Sequence, residues 1–241
     1  MCGTNRNNCG STNQQRRKFL LKASLATIGV SLGHSIWAAN TPKPENVISP
    51  DKAIERLMIG NERYVTGASR RHDFVAEREA LVGGQNPYAA ILSCSDSRIA
   101  PEYVFDSSRG DLFVVRVAGN FVSNNGLASL EYAATYLNTK LFMVLGHQSC
   151  GAISGAIATI QNGKVLPGHM PSLVKPISPA VGLAFGQPGN LLTNVIRENV
   201  RLNVAALKAA SPILGERVAR NEINIVGGVY SLDTGRVELT N

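Results

Sequence analysis

Two apolar runs in this chain each end in side chains that bind metals or carry protons. These side chains are Cys94, Asp96 and Arg98 after the first run, and His147 and Cys150 after the second. In an open parallel sheet, side chains that leave neighbouring strands at their carboxyl ends converge in one crevice. Cys94, His147 and Cys150 then form a set of two thiolates and one imidazole with a fourth position free. Such a set is typical of a catalytic zinc.

The residue types favour zinc and suggest a proton carrier beside it. Two sulfurs and an imidazole suit Zn²⁺, whereas Mg²⁺ or Ca²⁺ call for oxygen ligands. Arg98 lies two residues after Asp96, so its guanidinium can hold that carboxylate by two parallel hydrogen bonds. A carboxylate held in this way can accept a proton, and a released one can become the fourth metal ligand. We therefore predict Asp96 and Arg98 as a catalytic pair, with Asp96 as the alternative fourth ligand.

Simpler interpretations compete with the metal. Cys94 and Cys150 can form a disulfide in an oxidising compartment, which would make this a thiol redox protein. A zinc-binding interaction protein without catalysis is another alternative, and the Asp96 and Arg98 pair counts against it. A simpler interpretation of Asp96 is that it only caps a helical turn that leads to Tyr103. His72 and His169 are interpreted as a helix-start and a loop residue, not as ligands.

The positive charge of the chain belongs to its first residues. The formal net charge is +7, with 24 basic and 17 acidic residues, but five of the basic ones lie within the first 39 positions, which contain no Asp or Glu. The rest of the chain is close to balanced, so no nucleic-acid partner is predicted.

Residues 1–39 have the three parts of an export signal. A basic segment containing Arg16 and Arg17 precedes a mildly apolar run at 23–37 and two small residues. The paired arginines, followed by Phe19 and Leu20, resemble a twin-arginine signal. The apolar run is shorter than the roughly 20 residues of a membrane span. We therefore predict a periplasmic or secreted protein that has no stable membrane anchor once the signal is cleaved.

After a predicted linker at 40–49, one domain at 50–241 is predicted. Continuous apolar runs indicate buried strands, and amphipathic stretches between them indicate helices. The strands are expected at 89–93, 112–117, 141–145 and 223–230, and the helices at 126–137, 150–160 and 191–210. This alternation predicts an α/β fold with a mainly parallel four-stranded sheet and helices on both faces. The segment 233–239 is expected as an antiparallel edge strand.

Two further segments are harder to place in such a sheet. Helical patterns at 49–67 and 72–82 precede the first strand, and we predict that they form an N-terminal arm over the body or over a partner subunit. The segment 167–189 contains five prolines, which break long helices. It is predicted to be a loop with a short helix.

Three motifs together resemble the β-class carbonic anhydrases. They are CSDSR at 94–98, GDLFVVRVAGN at 110–120 and GHQSCG at 146–151. The resemblance runs from about residue 50 to 239. It implies a zinc lyase that interconverts CO₂ and bicarbonate by means of zinc-bound hydroxide. It also implies one zinc on Cys94, His147 and Cys150, the dyad of Asp96 and Arg98, and a homodimer or higher even oligomer whose N-terminal helices embrace the neighbour.

The resemblance leaves one close rival open. A zinc hydrolase of carbon disulfide or carbonyl sulfide would use the same scaffold. For CO₂ we expect a small apolar pocket against Phe121 and Val122. Some relatives bind bicarbonate in a second pocket that uses a tryptophan, and this chain has only Trp37, in the predicted signal. That mode of inhibition is therefore not expected.

Overall fold

A computed structural model of the chain describes residues 42–210 and 212–240. Its strands are β1 (Ala89–Ser93), β2 (Leu112–Arg116), β3 (Leu141–His147), β4 (Asn224–Tyr230) and β5 (Val237–Thr240). They form one sheet in the order β2-β1-β3-β4-β5, parallel except for β5, which runs antiparallel to β4. The predicted fold class is thus confirmed. The predicted export signal lies outside the described residues.

Helices cover both faces of this sheet. They are α1 (Pro50–Val65), α2 (Phe74–Ala80), α3 (Pro101–Val104), α4 (Asn124–Tyr136), α5 (Gly151–Asn162), α6 (Pro171–Ala184), α7 (Leu191–Ala209) and α8 (Leu214–Ala219), and a 3₁₀ turn at Pro44–Asn46 precedes them. Among the helices described, none has the length and apolar character needed to cross a membrane.

The two central strands are buried on both faces. Ile91 and Met143 pack on the face covered by α1, where Leu57 is buried, and Leu92 and Val144 pack on the opposite face. Such double coverage explains why β1 and β3 appear in the sequence as continuous apolar runs. Ser93 is paired with Leu145, so the carboxyl ends of β1 and β3 lie side by side.

A glycine at the end of β3 lets α7 come close to the sheet. A side chain built on Gly146 would lie 2.6 Å from Cγ2 of Val200 in α7. β3 continues through Gly146 to His147, two residues beyond the predicted end. The close approach of α7 therefore depends on the glycine that directly follows the predicted end of this strand.

The segment 167–189 differs from the prediction, because α6 is a full helix of 14 residues with Pro176 and Pro179 inside it. Proline removes a helical hydrogen bond, but α6 also buries Ile177, Ala180, Val181 and Ala184. This apolar face packs in one cluster with α5 and α7. Packing of an amphipathic face supplies most helix stability in proteins, and here it outweighs the prolines.

The two predicted arm helices behave differently. α1 begins after Ser49, whose side chain accepts a hydrogen bond from the Lys52 amide, and it lies on the sheet of its own chain. Asn61 on α1 donates to the carbonyls of Val104 and Gly235. In contrast, α2 buries none of its residues.

The described part of the predicted linker, residues 42–49, packs on the domain. Nζ of Lys43 lies 2.6 Å from Oδ1 of the buried Asp111, and Asn46 donates a hydrogen bond to the same carboxylate. Residues 42–49 are therefore held on the domain by their contacts with the buried Asp111, although their polar and proline-rich composition predicted a linker.

Candidate metal centre

The structure brings the three predicted ligands together. The ligand atoms of Cys94, His147 and Cys150 all lie within 4.8 Å of one another, and all three residues are buried. Cys94 follows β1, His147 ends β3, and Cys150 is the N-cap residue of α5. We call Cys94, Asp96 and Arg98 the β1 side of the centre, and His147 and Cys150 the β3 side. Both cysteines are free in the structure.

On the β3 side, a left-handed residue closes the turn between the two ligands. Ser149 has a φ of 55°, a conformation that costs a non-glycine residue roughly 1–2 kcal/mol. Cys150 then starts α5, where its sulfur meets the backbone amides of Ala152 and Ile153. Such amides and the helix dipole favour a thiolate, which is the form that binds a metal.

The His147 ring presents a free lone pair to the two sulfurs. Its Nδ1 lies 2.8 Å from the Gln148 carbonyl, which can only accept, so Nδ1 carries the proton. In the neutral ring Nε2 is then the nitrogen with the lone pair, and it is buried without a hydrogen-bond partner among the residues that the structure describes. An orphaned imidazole nitrogen between two thiols fits a soft metal ion such as Zn²⁺.

The two thiols share one proton between them. A hydrogen bond from Cys150, with a further one from the Gly119 amide, lowers the pKa of Cys94 to about 4. The same contact with Cys94, together with burial, raises the pKa of Cys150. The first thiolate thus forms readily, and a cation would favour loss of the second proton.

On the β1 side, Arg98 holds Asp96 by three hydrogen bonds. Its Nε lies 2.9 Å from Oδ1, its Nη2 2.7 Å from Oδ2 and its backbone amide 3.0 Å from Oδ1. These bonds hold the pKa of Asp96 well below its usual range. Oδ2 lies 3.9 Å from Nε2 of His147. Asp96 therefore stands beside the three ligands in the orientation held by Arg98.

Two residues of the 110–120 segment support the β1 side, although our sequence analysis gave them no role. Arg116 at the end of β2 donates to the carbonyls of Cys94, Asp96 and Ile99. The amide of Gly119, which has a φ of 88°, donates to Sγ of Cys94 over 3.3 Å. For Arg116, the available signal in the sequence was a basic residue near the end of a predicted strand next to β1.

Two asparagines of α7 hold the loop after β2 and were also missed. Asn199 donates to the Gly119 carbonyl over 2.9 Å, and Asn203 accepts from the Val122 amide over 2.7 Å. Both asparagines are buried. Two polar residues four apart on an otherwise apolar helix face would have indicated them.

The two residues predicted to line an apolar pocket pack in different clusters. Phe121 is buried in the same cluster as Cys94 and Cys150, while Val122 packs in the cluster on the α7 face of the sheet. His72 is engaged with Glu77 and Ser108. Neither His72 nor His169 belongs to the group of close ligand atoms.

The carbonic anhydrase family model matches residues 89–237, more than half of the chain. Over 192 residues the chain is 40% identical to Carbonic anhydrase 2 of Mycobacterium tuberculosis (strain CDC 1551 / Oshkosh), covering 79% of this chain and 93% of the relative. The chain belongs to the carbonic anhydrase family. A carbonic anhydrase of Mycolicibacterium smegmatis is 36% identical over the same shares of both chains.

Solved structures identify the class of this carbonic anhydrase. The β-carbonic anhydrase CcaA matches with a TM-score of 0.64 and 27% identity, over 79% of this chain and 88% of that one. A Coccomyxa β-carbonic anhydrase in complex with acetazolamide matches with a TM-score of 0.58 and 26% identity, over 78% and 82%. The protein is therefore a β-carbonic anhydrase with a Cys-His-Cys site that can hold a metal.

Proposed function

We propose that this enzyme reversibly hydrates CO₂ to bicarbonate and a proton with one zinc ion per chain. The observation that carries the proposal is the buried set of two thiols and the His147 Nε2, which has no hydrogen-bond partner in the described part of the chain, next to a carboxylate held by Arg98. Cys94, His147 and Cys150 would hold the zinc. When bound, zinc supplies a nucleophile near neutral pH by lowering the pKa of water from 15.7 to about 7.

Asp96 and Arg98 orient that nucleophile. Because Arg98 keeps Asp96 ionised, the carboxylate can only accept, and the nucleophile must donate its hydrogen to it. The lone pair of the nucleophile is thereby directed away from Asp96. Phe121 offers apolar surface where uncharged CO₂ can rest. If Arg98 releases Asp96, the carboxylate is close enough to the ligands to become the fourth one and close the site.

A stopped-flow assay on zinc-loaded protein tests this function. We expect CO₂ hydration with one zinc per chain, and little turnover of carbonyl sulfide or carbon disulfide under the same conditions. Faster hydrolysis of either sulfur compound than hydration of CO₂ would overturn the proposed substrate. Two oxidised cysteines and no zinc in the active preparation would instead favour the redox alternative.

We also propose a homodimer or a higher even oligomer. Within the described residues no strand pairs with the outer edge of β2, whose apolar residues 112–115 are only half-buried. Tyr132 and Tyr136 of α4 lie exposed. Tyr132 stacks on Phe113 of that strand, and Tyr136 packs against Tyr132. An unpaired apolar edge with exposed aromatics is a ready pairing surface.

Light scattering on a double variant tests the β2 edge. We expect an even oligomer for the wild type and monomers for Tyr132→Glu with Tyr136→Glu. Val165→Glu, at a residue 88% exposed between α5 and α6, is the matched control and should leave the mass unchanged. A fully active wild-type monomer would refute the proposal.

Finally, we propose export in the folded state to the periplasm or outside the cell. The support is sequence: the paired arginines Arg16 and Arg17, and the retention of only Cys94 and Cys150 after the predicted signal. Zinc bound before export would protect these thiols from disulfide formation. Replacing both arginines by Lys should trap active enzyme in the cell, while Lys22→Arg should not. Normal export of the double-lysine variant would contradict this.

A further inference from the structure

We propose that the turn between β4 and β5, residues 231–236, positions the zinc ligand His147 through the side chain of Gln148. The inference rests on the proposed zinc site. Gln148 follows His147 directly, and its amide group contacts three successive residues of the turn. Oε1 accepts from the Leu232 amide over 3.0 Å and from Oγ of Ser231 over 3.3 Å, and Nε2 donates to Oδ2 of Asp233 over 2.9 Å.

The backbone of Gln148 connects the turn to the predicted zinc ligand His147. Its carbonyl accepts the hydrogen bond from Nδ1 of His147, and its amide donates to the Tyr230 carbonyl over 2.9 Å. The direction of that carbonyl fixes which nitrogen of the ring carries the proton and where Nε2 points. Groups of this kind, next to a metal-binding histidine, orient the ring and raise its affinity for the metal.

The turn itself is anchored, so it can hold Gln148 in place. The Ser231 amide donates to the Arg236 carbonyl, and the Gly235 carbonyl accepts from Asn61 of α1 over 2.8 Å. A chain of hydrogen bonds therefore leads from α1 through the turn to the His147 ring.

Glutamine suits this position because the turn offers both hydrogen-bond donors and an acceptor. The Leu232 amide needs an acceptor and the Asp233 carboxylate needs a donor, and the side-chain amide of Gln148 provides both. Asp233 is exposed, so its contact with Gln148 is expected to add little to folding stability. Its effect should appear at the metal instead.

Exchanging the two groups tests the proposal. Q148E places two carboxylates against each other and should detach the turn, whereas Q148E/D233N restores a donor and an acceptor with unchanged net charge. Q148M removes the hydrogen bonds without adding charge, and D233N alone keeps an acceptor for Gln148. All four variants are loaded with zinc, and zinc release to a chromophoric chelator is timed. The absorption spectra of the cobalt-substituted proteins report ligand geometry.

We expect release about 10-fold faster from Q148E and Q148M, the lower end of the 10- to 100-fold range for such partners. Q148E/D233N and D233N should stay within about 2-fold of the wild type, and only Q148E and Q148M should shift the cobalt spectrum. Charge alone predicts the opposite sign for Q148E, because an added carboxylate near the site would retain the cation.

Wild-type release rates for Q148E and Q148M would overturn the inference, as would a double variant that fails to recover. Those results would leave the proposed function standing, because the wild type would still hold its zinc. A wild type that holds no zinc would overturn the proposed function and this inference with it.

Discussion

On the β1 side of the metal centre the charged groups reach solvent, whereas on the β3 side both ligands are buried. The side chains of Asp96 and Arg98 are 16% and 53% exposed, while His147 and Cys150 are almost fully covered. Distant residues hold the β1 side, among them Arg116 and Gly119. The β3 side is held by its own short turn, by the neighbouring strand β4 and, through Gln148, by the turn that follows β4.

This difference separates two tasks. A metal ligand must be desolvated and fixed, because soft ligands hold zinc in a defined tetrahedral set. A group that exchanges protons and lets bicarbonate leave needs contact with water. We therefore expect substitutions of His147 or Cys150 to remove the metal. Substitutions of Asp96 or Arg98 should remove activity while the metal stays.

The largest effect is expected for Cys150→Ser. A serine hydroxyl does not ionise near neutral pH, so the site loses a thiolate and, with it, most of its affinity for zinc. Elemental analysis should find little zinc in this variant and close to one ion per chain in Ser154→Ala, an exposed position one turn along α5. Full zinc content in Cys150→Ser would show that the three ligands are assigned wrongly.

Arg98→Ala should keep its zinc and lose hydration activity by about 100-fold or more, the lower bound for a missing proton-transfer group. Without the guanidinium, Asp96 is free to turn towards the metal and close the fourth position. Arg98→Lys keeps the charge but not the paired hydrogen bonds, so its hydration activity should lie between those of the wild type and Arg98→Ala. Stopped-flow rates and zinc content are measured on the same samples. Near wild-type turnover of Arg98→Ala would show that activity does not need the hydrogen bonds from Arg98 to Asp96.

The pH dependence separates Asp96 from the nucleophile. Arg98 lowers the pKa of Asp96 from its usual 3.8, so this carboxylate is ionised at any pH above that value and is protonated only in stronger acid. We therefore expect activity to rise with pH around about pH 7, where the nucleophile ionises, and not with the ionisation of Asp96. We expect Asp96→Asn to be slow but to keep the midpoint of that rise. A flat profile for this variant would assign the titration to Asp96.

Local sequence was enough to predict most strands and the group of Cys94, His147 and Cys150 that the structure brings together. Cys94 and His147 end continuous apolar runs, and such runs are strands wherever both faces of a sheet are covered. The spacing of Asp96 and Arg98 likewise predicted the paired hydrogen bonds that the structure shows. Each of these features depends on residues that are neighbours in the chain.

What the sequence did not reveal depends on contacts between distant residues. The role of Asn199 follows from the position of α7 over the loop after β2, and that of Gln148 from the turn after β4. The helix α6 forms in spite of its prolines because α5 and α7 cover its apolar face. Spacing within one segment carries no signal for contacts of this kind.

The smallest effect is expected for Asn199→Ala, which tests the remote support of the β1 side. Asn199 donates to the Gly119 carbonyl, and the Gly119 amide donates to Cys94, so the change leaves a buried carbonyl unpaired. Such a loss costs about 1–3 kcal/mol of unfolding free energy.

Zinc release from Asn199→Ala should rise only a few-fold, because Arg116 still holds the Cys94 carbonyl. Asn194→Ala is the matched control, since Asn194 lies on the same helix and donates to the Pro188 carbonyl away from the centre. It should leave zinc release unchanged. Thermal unfolding and chelator assays on both variants measure the two effects. If both variants released zinc at the same rate, α7 would support the fold and not Cys94.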